Sequence, residues 1–262
     1  MSLAARVLPA RAIAGSRAHR LVERNLLVYR HGWIIIVSGF FEPVFYLLGI
    51  GFGLGTLVGD IGDIPYSAFV APGLMATAAM NGALYESTFN LFFKLRYAKT
   101  YDAILSTPLG PPDVAAGEVA WALFRGALYA GAFLIVMLLL GLILSPWAIL
   151  ALPGAVLIGL AAAAVGTAVT TFMKKWQDFD LVTVVTLPLF LFSATFFPIT
   201  VYPSWLQTLV ELTPLYRGVH MLRSLTTGTV DATILIDVAY LTVMGAIGIA
   251  VTSRRLRSLI LK

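Results

Sequence analysis

The chain has 262 residues, of which 59% are hydrophobic and only 12% are charged, and its mean hydropathy is +0.90. Soluble domains contain about 45–50% apolar and about 25% charged residues, so this composition excludes an ordinary water-soluble fold. The absence of cysteine excludes disulfides, Cys-ligated metals and thiol nucleophiles, and the three histidines lack metal-ligand spacing. The net charge of +5 is spread over separate segments and does not predict a nucleic-acid-binding surface.

The amino-terminal segment carries six arginines and lacks the compact apolar core and cleavage site of a signal peptide, so we expect it to be retained. Leucines such as Leu21 and Leu26 alternate there with Arg20 and Arg24. This pattern is typical of an amphipathic helix lying on the inner leaflet, and the alternative is a solvated basic arm. We predict an interface helix over residues 6–30.

Six apolar stretches follow, each close to the roughly 20 residues that a helix needs to cross about 30 Å of hydrocarbon. They cover residues 33–54, 68–93, 120–144, 148–173, 181–197 and 232–251. The fifth is at the short limit for a span. The sequence therefore predicts an all-α polytopic membrane protein with six transmembrane helices.

The distribution of basic residues predicts the orientation, because cytoplasmic loops are rich in Lys and Arg. Fifteen of the eighteen fall on one side of the six predicted spans: Arg6, Arg11, Arg17, Arg20, Arg24, Arg30, Lys94, Arg96, Lys99, Lys174, Lys175, Arg254, Arg255, Arg257 and Lys262. The opposite side has only Arg217 and Arg223. We expect both termini in the cytoplasm.

Two connections are unusual. Residues 94–113 form a long basic cytoplasmic connection with an apolar pair, Ile104 and Leu105, before its prolines, which predicts a short helix ended by proline. From the residues alone, a docking surface and an idle loop are evenly matched.

Residues 198–231 form an apolar external connection that Pro203 and Pro214 interrupt. We predict a re-entrant helical hairpin there, with two helices lying flat at the interface as the alternative.

Charged residues inside spans are costly and therefore informative. Glu42, Glu86 and Arg125 all lie about 12–14 Å from the cytoplasmic end of their predicted helices, given a rise of about 1.5 Å per residue. We hypothesise that they form an intramembrane charge cluster, either as a structural ion pair or in a substrate-contacting or gating role. Glu118 is expected to contact the cytoplasmic interface or a loop, and Asp237 to reach headgroups or water.

Nucleotide-binding loops are absent, since no G-x-x-x-x-G-K-[ST] motif occurs. A glycine-rich run lies within the first predicted span and consists of Gly49, Gly51, Gly53 and Gly55. Its spacing of four favours close packing between helices, and the alternative is a direct role in the translocation path.

Four segments resemble the permease subunits of type-2 ABC exporters over nearly the whole chain. They read FFEPVFYLLGIGFGLG, YSAFVAPGLMATAAM, YDAILSTPLGPPDVAAGEVAWALFR and PLFLFSATFFPITVYPSWLQTLVELTPLYRGVHMLR. The last has FFP, a second proline and P-L-x-R-x5-R in the family's order. The first is similar to permeases of the nodulation lipo-oligosaccharide and daunorubicin-type drug exporters.

The resemblance implies a single permease domain over 1–262. Its expected parts are the interface helix over 6–30, spans one to five over 33–197 with a coupling helix near 95–110, the hairpin over 198–231, the sixth span over 232–252 and a cytoplasmic tail over 253–262. It also implies two copies of a separate ATPase subunit, which would bind ATP and Mg, and a second permease subunit, expected to be another copy of this chain. This chain itself is expected to hold no cofactor, metal or catalytic residue.

By position, the resemblance implies two sets of functional residues. The ATPase-coupling set is Lys94, Arg96, Lys99, Thr100, Tyr101, Asp102 and Leu105. The external hairpin set is Phe197, Pro198, Pro203, Pro214, Arg217 and Arg223. Substrate-contacting residues do not carry over; the implied cargo is an amphipathic, drug-like, lipid or glycolipid molecule.

Two rival functions are compatible with the composition. A proton-coupled secondary transporter would use Glu42 or Glu86 as its relay. An intramembrane lipid-handling enzyme would need a convergent acid-base, metal or nucleophilic site. The intramembrane carboxylates lack a suitably placed His or Cys partner in the sequence, which disfavours the enzyme.

Overall fold

The computed structural model describes residues 17–30, 41–98 and 100–260. This part of the chain is built from helices, and its one β contact is an isolated antiparallel bridge between Ile61 and Ile64. The prediction of an all-α protein is therefore confirmed.

Ten α-helices follow one another in the described part of the chain. The first six are α1 (Ala18–Tyr29), α2 (Phe41–Val58), α3 (Tyr66–Leu95), α4 (Thr100–Leu105), α5 (Pro111–Leu139) and α6 (Ala151–Thr170). The last four are α7 (Phe179–Leu191), α8 (Ser204–Glu211), α9 (Pro214–Thr227) and α10 (Thr233–Ile260). Two helices contain π-helical turns, at Leu47–Leu54 in α2 and Glu86–Asn90 in α3.

Five segments of the described chain are helical, long and apolar enough to cross a membrane: Phe41–Val58, Tyr66–Leu95, Ala116–Leu139, Pro146–Thr170 and Thr233–Thr252. They correspond to the first, second, third, fourth and sixth predicted spans. These helices confirm a polytopic membrane protein.

The fifth predicted span, 181–197, differs from the prediction because its helix α7 has only 13 residues. At about 1.5 Å per residue it covers about 20 Å, less than the hydrocarbon thickness. The helix stops where Ser193 bonds back to the carbonyl of Phe190 at 2.7 Å and Ala194 adopts a positive φ of 56°. Side-chain competition for backbone groups thus ends this helix early.

Small residues allow the central helices to approach closely. A Cβ atom on Gly126 of α5 would lie 3.0 Å from the carbonyl oxygen of Ala79 in α3. A Cβ atom on Gly248 of α10 would lie only 2.7 Å from the carbonyl carbon of Ala164 in α6. Such contacts are the usual basis of helix association in lipid, where no hydrophobic force drives apolar helices together. α3 lies at the centre and is buried along most of its length.

The predicted packing of the glycine-rich run is only partly observed. Gly51 and Gly55 lie against the start of α3, near Ser67 and Tyr66. A Cβ atom added to Gly49 or Gly53 would meet no atom of another helix within 4 Å among the residues that the structure describes. These two glycines lie on α2, whose surface is largely exposed in the isolated chain.

Residues 198–231 form two helices, α8 and α9, as expected for a helical hairpin. Pro203 precedes α8, and Pro214 is the first residue of α9, where the missing N–H costs nothing. Thr213 accepts a hydrogen bond from the backbone of Tyr216 at 3.3 Å and caps α9. Gly228, with a φ of 90°, ends it. α9 packs through a buried apolar face against α3, α6 and α10.

Candidate functional site

A buried ion pair joins α3 to α5 at the level of the π-helical turn. Glu86 has a side chain that is 1% exposed, and its Oε2 atom pairs with the guanidinium of Arg125. Nη2 of Arg125 also donates to the hydroxyl of Tyr129 one turn further along α5, at 2.7 Å. Neither charge could be buried alone at this depth without a large cost in free energy.

A second ion pair extends this cluster toward the end of α3. The Nζ atom of Lys94 lies 2.7 Å from Oε2 of Glu118 on α5 and 3.5 Å from Oε1 of Glu86. Glu118 is buried, so it is not the interfacial carboxylate that the sequence suggested. With Arg125, these residues form the charged network, which contains two acids and two bases and is neutral overall.

The interface helix α1 is bonded to the charged network through its last residue. The hydroxyl of Tyr29 lies 3.4 Å from Oε2 of Glu86 and accepts a hydrogen bond from Asn90 at 3.2 Å. Burial, and then the negative charge of Glu86, raises the pKa of Tyr29 to about 12. The hydroxyl therefore remains protonated and can donate to Glu86. The ring of Tyr29 also packs against Trp121, with centroids 5.2 Å apart.

The other end of α1 contacts the connection between α4 and α5. The side chain of Arg17 donates to the carbonyl of Pro108 at 2.8 Å, and its backbone N–H donates to Asp113 at 3.3 Å. An apolar cluster joins four helices at this point and consists of Leu21, Leu91, Ile104 and Val114. The short helix α4 is thus packed onto α1, α3 and α5.

A second polar cluster lies where α9 meets the start of α10. Asp237, which is fully buried, pairs with Nη1 of Arg217 at 3.3 Å and with Nδ1 of His220 at 2.6 Å. The expectation that Asp237 reaches headgroups or water is therefore wrong. Its carboxylate is satisfied by α9 instead, which holds the hairpin against the last span.

Arg223 also fixes the hairpin. Its guanidinium donates to the carbonyl oxygens of Phe69, Ala194 and Thr195 at 3.0, 2.8 and 3.2 Å. The same group lies 3.7 Å from the centroid of the Phe69 ring. One side chain of α9 therefore bridges the start of α3 and the turn after α7.

Two cavities flank α7. An apolar one of about 520 Å³ lies between α7 and the helices α3, α6 and α10, with Met80, Ile158, Val185 and Met244 in its wall. A more polar one of about 240 Å³ lies between α7 and the helices α2, α3 and α5. We call the second the polar cavity. Its wall includes both Glu42 and Arg125.

The structure brings together two of the three residues of the predicted charge cluster. Glu86 and Arg125 are in contact, whereas Glu42 is exposed at the mouth of the polar cavity and forms no ion pair with any described residue. Glu42 on α2 and Arg125 on α5 both line the polar cavity, but their charged groups are not within ion-pair distance of each other.

The predicted ATPase-coupling residues fall in and around α4. Lys94 points into the charged network, and Thr100 begins α4. Lys99 and the side chains of Arg96, Tyr101, Asp102 and Leu105 lie outside the described part of the structure. In the hairpin set, Phe197 packs against Tyr202, with ring centroids 5.1 Å apart.

Sequence reasoning missed Lys94 and Glu118 as members of the charged network, and it missed Asn90 and Tyr29 as hydrogen-bond partners of Glu86. A signal was present, because Glu86, Asn90 and Lys94 are spaced by four residues and share one face of α3. The partners on α5 could not be found this way, since they depend on how α3 and α5 pack.

These helices, with their buried ion pairs and lipid-length spans, define a multi-pass α-helical membrane protein. The chain belongs to the ABC-2 type transporter family, whose family model matches residues 18–226. It is thus a membrane permease subunit that works with an ABC ATPase subunit, and its several apolar spans are those of a multi-pass inner-membrane protein.

Named relatives agree with this family. The chain is 33% identical over 210 residues to Nodulation protein J of Rhizobium leguminosarum bv. trifolii, covering 79% of each chain. It is also 33% identical over 203 residues to Nodulation protein J of Sinorhizobium fredii, covering 77% of this chain and 78% of the relative. The chain is 28% identical over 179 residues to the inner membrane transport permease YadH of Escherichia coli, covering 65% of this chain and 66% of the relative.

Proposed function

We propose that the chain is the permease of an ATP-driven exporter that moves an amphipathic, drug-like, lipid or glycolipid cargo out of the cytoplasm or inner leaflet. Two permease subunits, expected to be identical, would work with two copies of the ATPase subunit, on which ATP and Mg are bound. Both termini would lie in the cytoplasm. Family membership and the distribution of basic residues support this proposal.

The observation that carries the coupling role is the packing of α4. This short helix is joined to α1, α3 and α5 through the buried cluster around Leu21 and Ile104. The charged network then ties α1, α3 and α5 together deeper in the protein. A push on α4 would therefore move three helices as one unit, since packed and ion-paired helices shift together.

Transport in inverted membrane vesicles tests the export proposal. The permease is expressed with its ABC ATPase subunit, and accumulation of labelled amphipathic compounds is followed with ATP and with a non-hydrolysable analogue. We expect accumulation only with ATP and a hydrolysis-competent ATPase. Accumulation that persists with a hydrolysis-deficient ATPase would contradict the proposal.

The coupling residues need a separate test. Replacing Tyr101 and Asp102 by Ala is expected to abolish cargo-stimulated ATP hydrolysis and to weaken co-purification of the ATPase. The matched control replaces Asp60 and Asp63, in the opposite loop, by Ala and is expected to leave both properties unchanged. Unaltered co-purification and transport in the Tyr101/Asp102 variant would refute the coupling assignment.

The second candidate is a proton-coupled secondary transporter. Glu42 supports it, because this carboxylate lies in a membrane span and forms no ion pair with a described residue. Such a carrier would lose activity when an uncoupler collapses the proton gradient, whatever the state of the ATPase. An exporter driven by ATP would retain its activity in the same vesicles.

A further inference from the structure

The polar cavity is built by four helices and contains groups that the charged network does not use. α2 contributes Glu42 and Tyr46, and α3 contributes Asn81 and Tyr85. α7 completes the wall with Thr183 and neighbouring residues. A cavity with a few polar groups among apolar walls is the usual form of a small-ligand site.

The charge in this cavity is unbalanced. Arg125 reaches its wall, but that guanidinium is already paired with Glu86. Lys94 is likewise engaged by Glu118. Glu42 has no such partner in the described chain, so the described wall of the cavity carries one net negative charge. A carboxylate in a membrane span is costly without a counter-ion, and a positively charged ligand would offset that cost.

Aromatic rings line the same cavity as the Glu42 carboxylate. Tyr46 and Phe190 meet edge to face with centroids 5.8 Å apart, and Tyr85 and Tyr129 complete the aromatic lining. Electron-rich ring faces beside a carboxylate are the arrangement that proteins use to bind quaternary ammonium groups. The same rings would disfavour an anion, which Glu42 would also repel.

Size limits how much of a ligand can enter. At about 240 Å³ the cavity is smaller than the roughly 300–1,000 Å³ of sites that enclose a whole drug-sized molecule. A compact head group fits, and because the exposed residue Glu42 lies at the mouth, an attached apolar tail could remain outside in the bilayer.

We propose that the polar cavity binds the ammonium head of a cationic amphiphile, with Glu42 as its counter-ion and Tyr85 and Tyr46 as aromatic walls. The role of this site in selecting cargo rests on the proposed export function. Binding itself requires neither ATP nor the ATPase.

The test measures binding to the purified full-length permease in a neutral maltoside detergent without ATPase. Radiolabelled benzyltrimethylammonium is the probe, in equilibrium dialysis. We expect saturable binding that Glu42→Gln weakens at least about tenfold, whereas Asp63→Asn, a change in the loop beyond α2, leaves it unchanged. Neopentylbenzene, the uncharged isostere of the probe, should not displace it.

Equal affinities of the wild type and the Glu42→Gln variant, or displacement by neopentylbenzene, would overturn the proposal. If Glu42→Gln does not fold, the comparison of Tyr85→Phe with Tyr85→Leu decides. The Phe variant keeps a ring and should bind the probe with the affinity of the wild type, whereas the Leu variant should bind it several-fold more weakly. Equal affinities of the Phe and Leu variants would overturn the proposal. A negative result in the dialysis experiment would not contradict ATP-driven export. A negative result in the transport experiment would not contradict binding of the probe.

Discussion

The Nζ atom of Lys94 lies 2.7 Å from Oε2 of Glu118, although the two residues are on different helices and 24 positions apart. Sequence reasoning placed Lys94 at the ATPase and Glu118 at the interface. Their contact turns both side chains inward, where they close a neutral network with Glu86 and Arg125. The same contact links the end of α3 to the first turns of α5, just beyond the predicted coupling helix.

Lys94→Met removes the base and leaves Glu118 buried without its counter-ion. We expect the free energy of unfolding in detergent to fall by about 3 kcal/mol, because breaking a buried pair from one side leaves an uncompensated charge. The double variant Lys94→Met/Glu118→Met should recover most of this loss. Lys174→Met, at an exposed lysine, is the control. If Lys94→Met and Lys174→Met lower the free energy of unfolding equally, the buried pair adds no stability beyond that of an exposed lysine.

A double-mutant cycle measures whether Arg125 is coupled to Glu86, to Glu42 or to both. For Glu86→Gln with Arg125→Met we expect a coupling energy above about 1 kcal/mol, since the two side chains are in contact. For Glu42→Gln with the same Arg125 variant we expect less than about 0.5 kcal/mol. Thermal unfolding of the four proteins of each cycle provides the values. Strong coupling to Glu42 would restore the three-residue cluster that the sequence suggested.

Alkaline pH tests the bond between the interface helix and the charged network. The raised pKa of Tyr29, about 12 against an ordinary 10.0, means that the folded state holds this proton more tightly than the unfolded state. Its stabilising contribution is complete below pH 10 and is lost as pH rises toward 12. Tyr29→Phe should therefore reduce the loss of stability over this window, as measured by thermal unfolding at pH 9 to 12. An identical pH profile would disprove the linkage.

The spans were the most predictable part of the fold, because a membrane-spanning helix needs a long apolar run that can be read locally. The depth of Glu86 and Arg125 also predicted their pairing, since residues at one depth on neighbouring helices can meet. Glu42 has a similar depth and yet does not pair. Depth therefore does not identify which helix faces which.

Side-chain partners near helix ends were the least predictable. Asp237 looked like an interfacial residue because it lies one turn into the last span, but α9 folds back and covers it. Likewise, the early end of α7 depends on local bonds at Ser193 and on the backbone of Ala194, which hydropathy does not report.

Arg223 tests how the hairpin is held. Arg223→Ala removes hydrogen bonds to three backbone carbonyls, and we expect the free energy of unfolding to fall by about 3 kcal/mol. Arg223→Lys should recover only part of this, because a single ammonium cannot reach all three acceptors in the geometry of the guanidinium. Arg20→Ala, on the exposed face of α1, is the matched control. Thermal unfolding gives the comparison, and full recovery of stability in the Arg223→Lys variant would show that charge alone matters.

Gly248 and Gly49 provide a pair of substitutions with opposite expected signs. Alanine is favoured over glycine in a helix by about 1 kcal/mol. A methyl group at Gly49 would meet no described atom of another helix within 4 Å, so Gly49→Ala should leave the isolated chain unchanged or slightly more stable. Gly248→Ala gains the same propensity but places a methyl group 2.7 Å from the backbone of Ala164.

The backbones at Gly248 and Ala164 cannot move apart without separating α10 from α6, and overpacking of this kind costs about 1–3 kcal/mol. We therefore expect Gly248→Ala to lower the unfolding temperature and Gly49→Ala not to lower it, in monomeric protein held in detergent. A stabilising Gly248→Ala would mean that the two helices are less closely packed than the structure shows. A Gly49→Ala change that destabilises only a dimeric form would place Gly49 at the contact between two permease subunits.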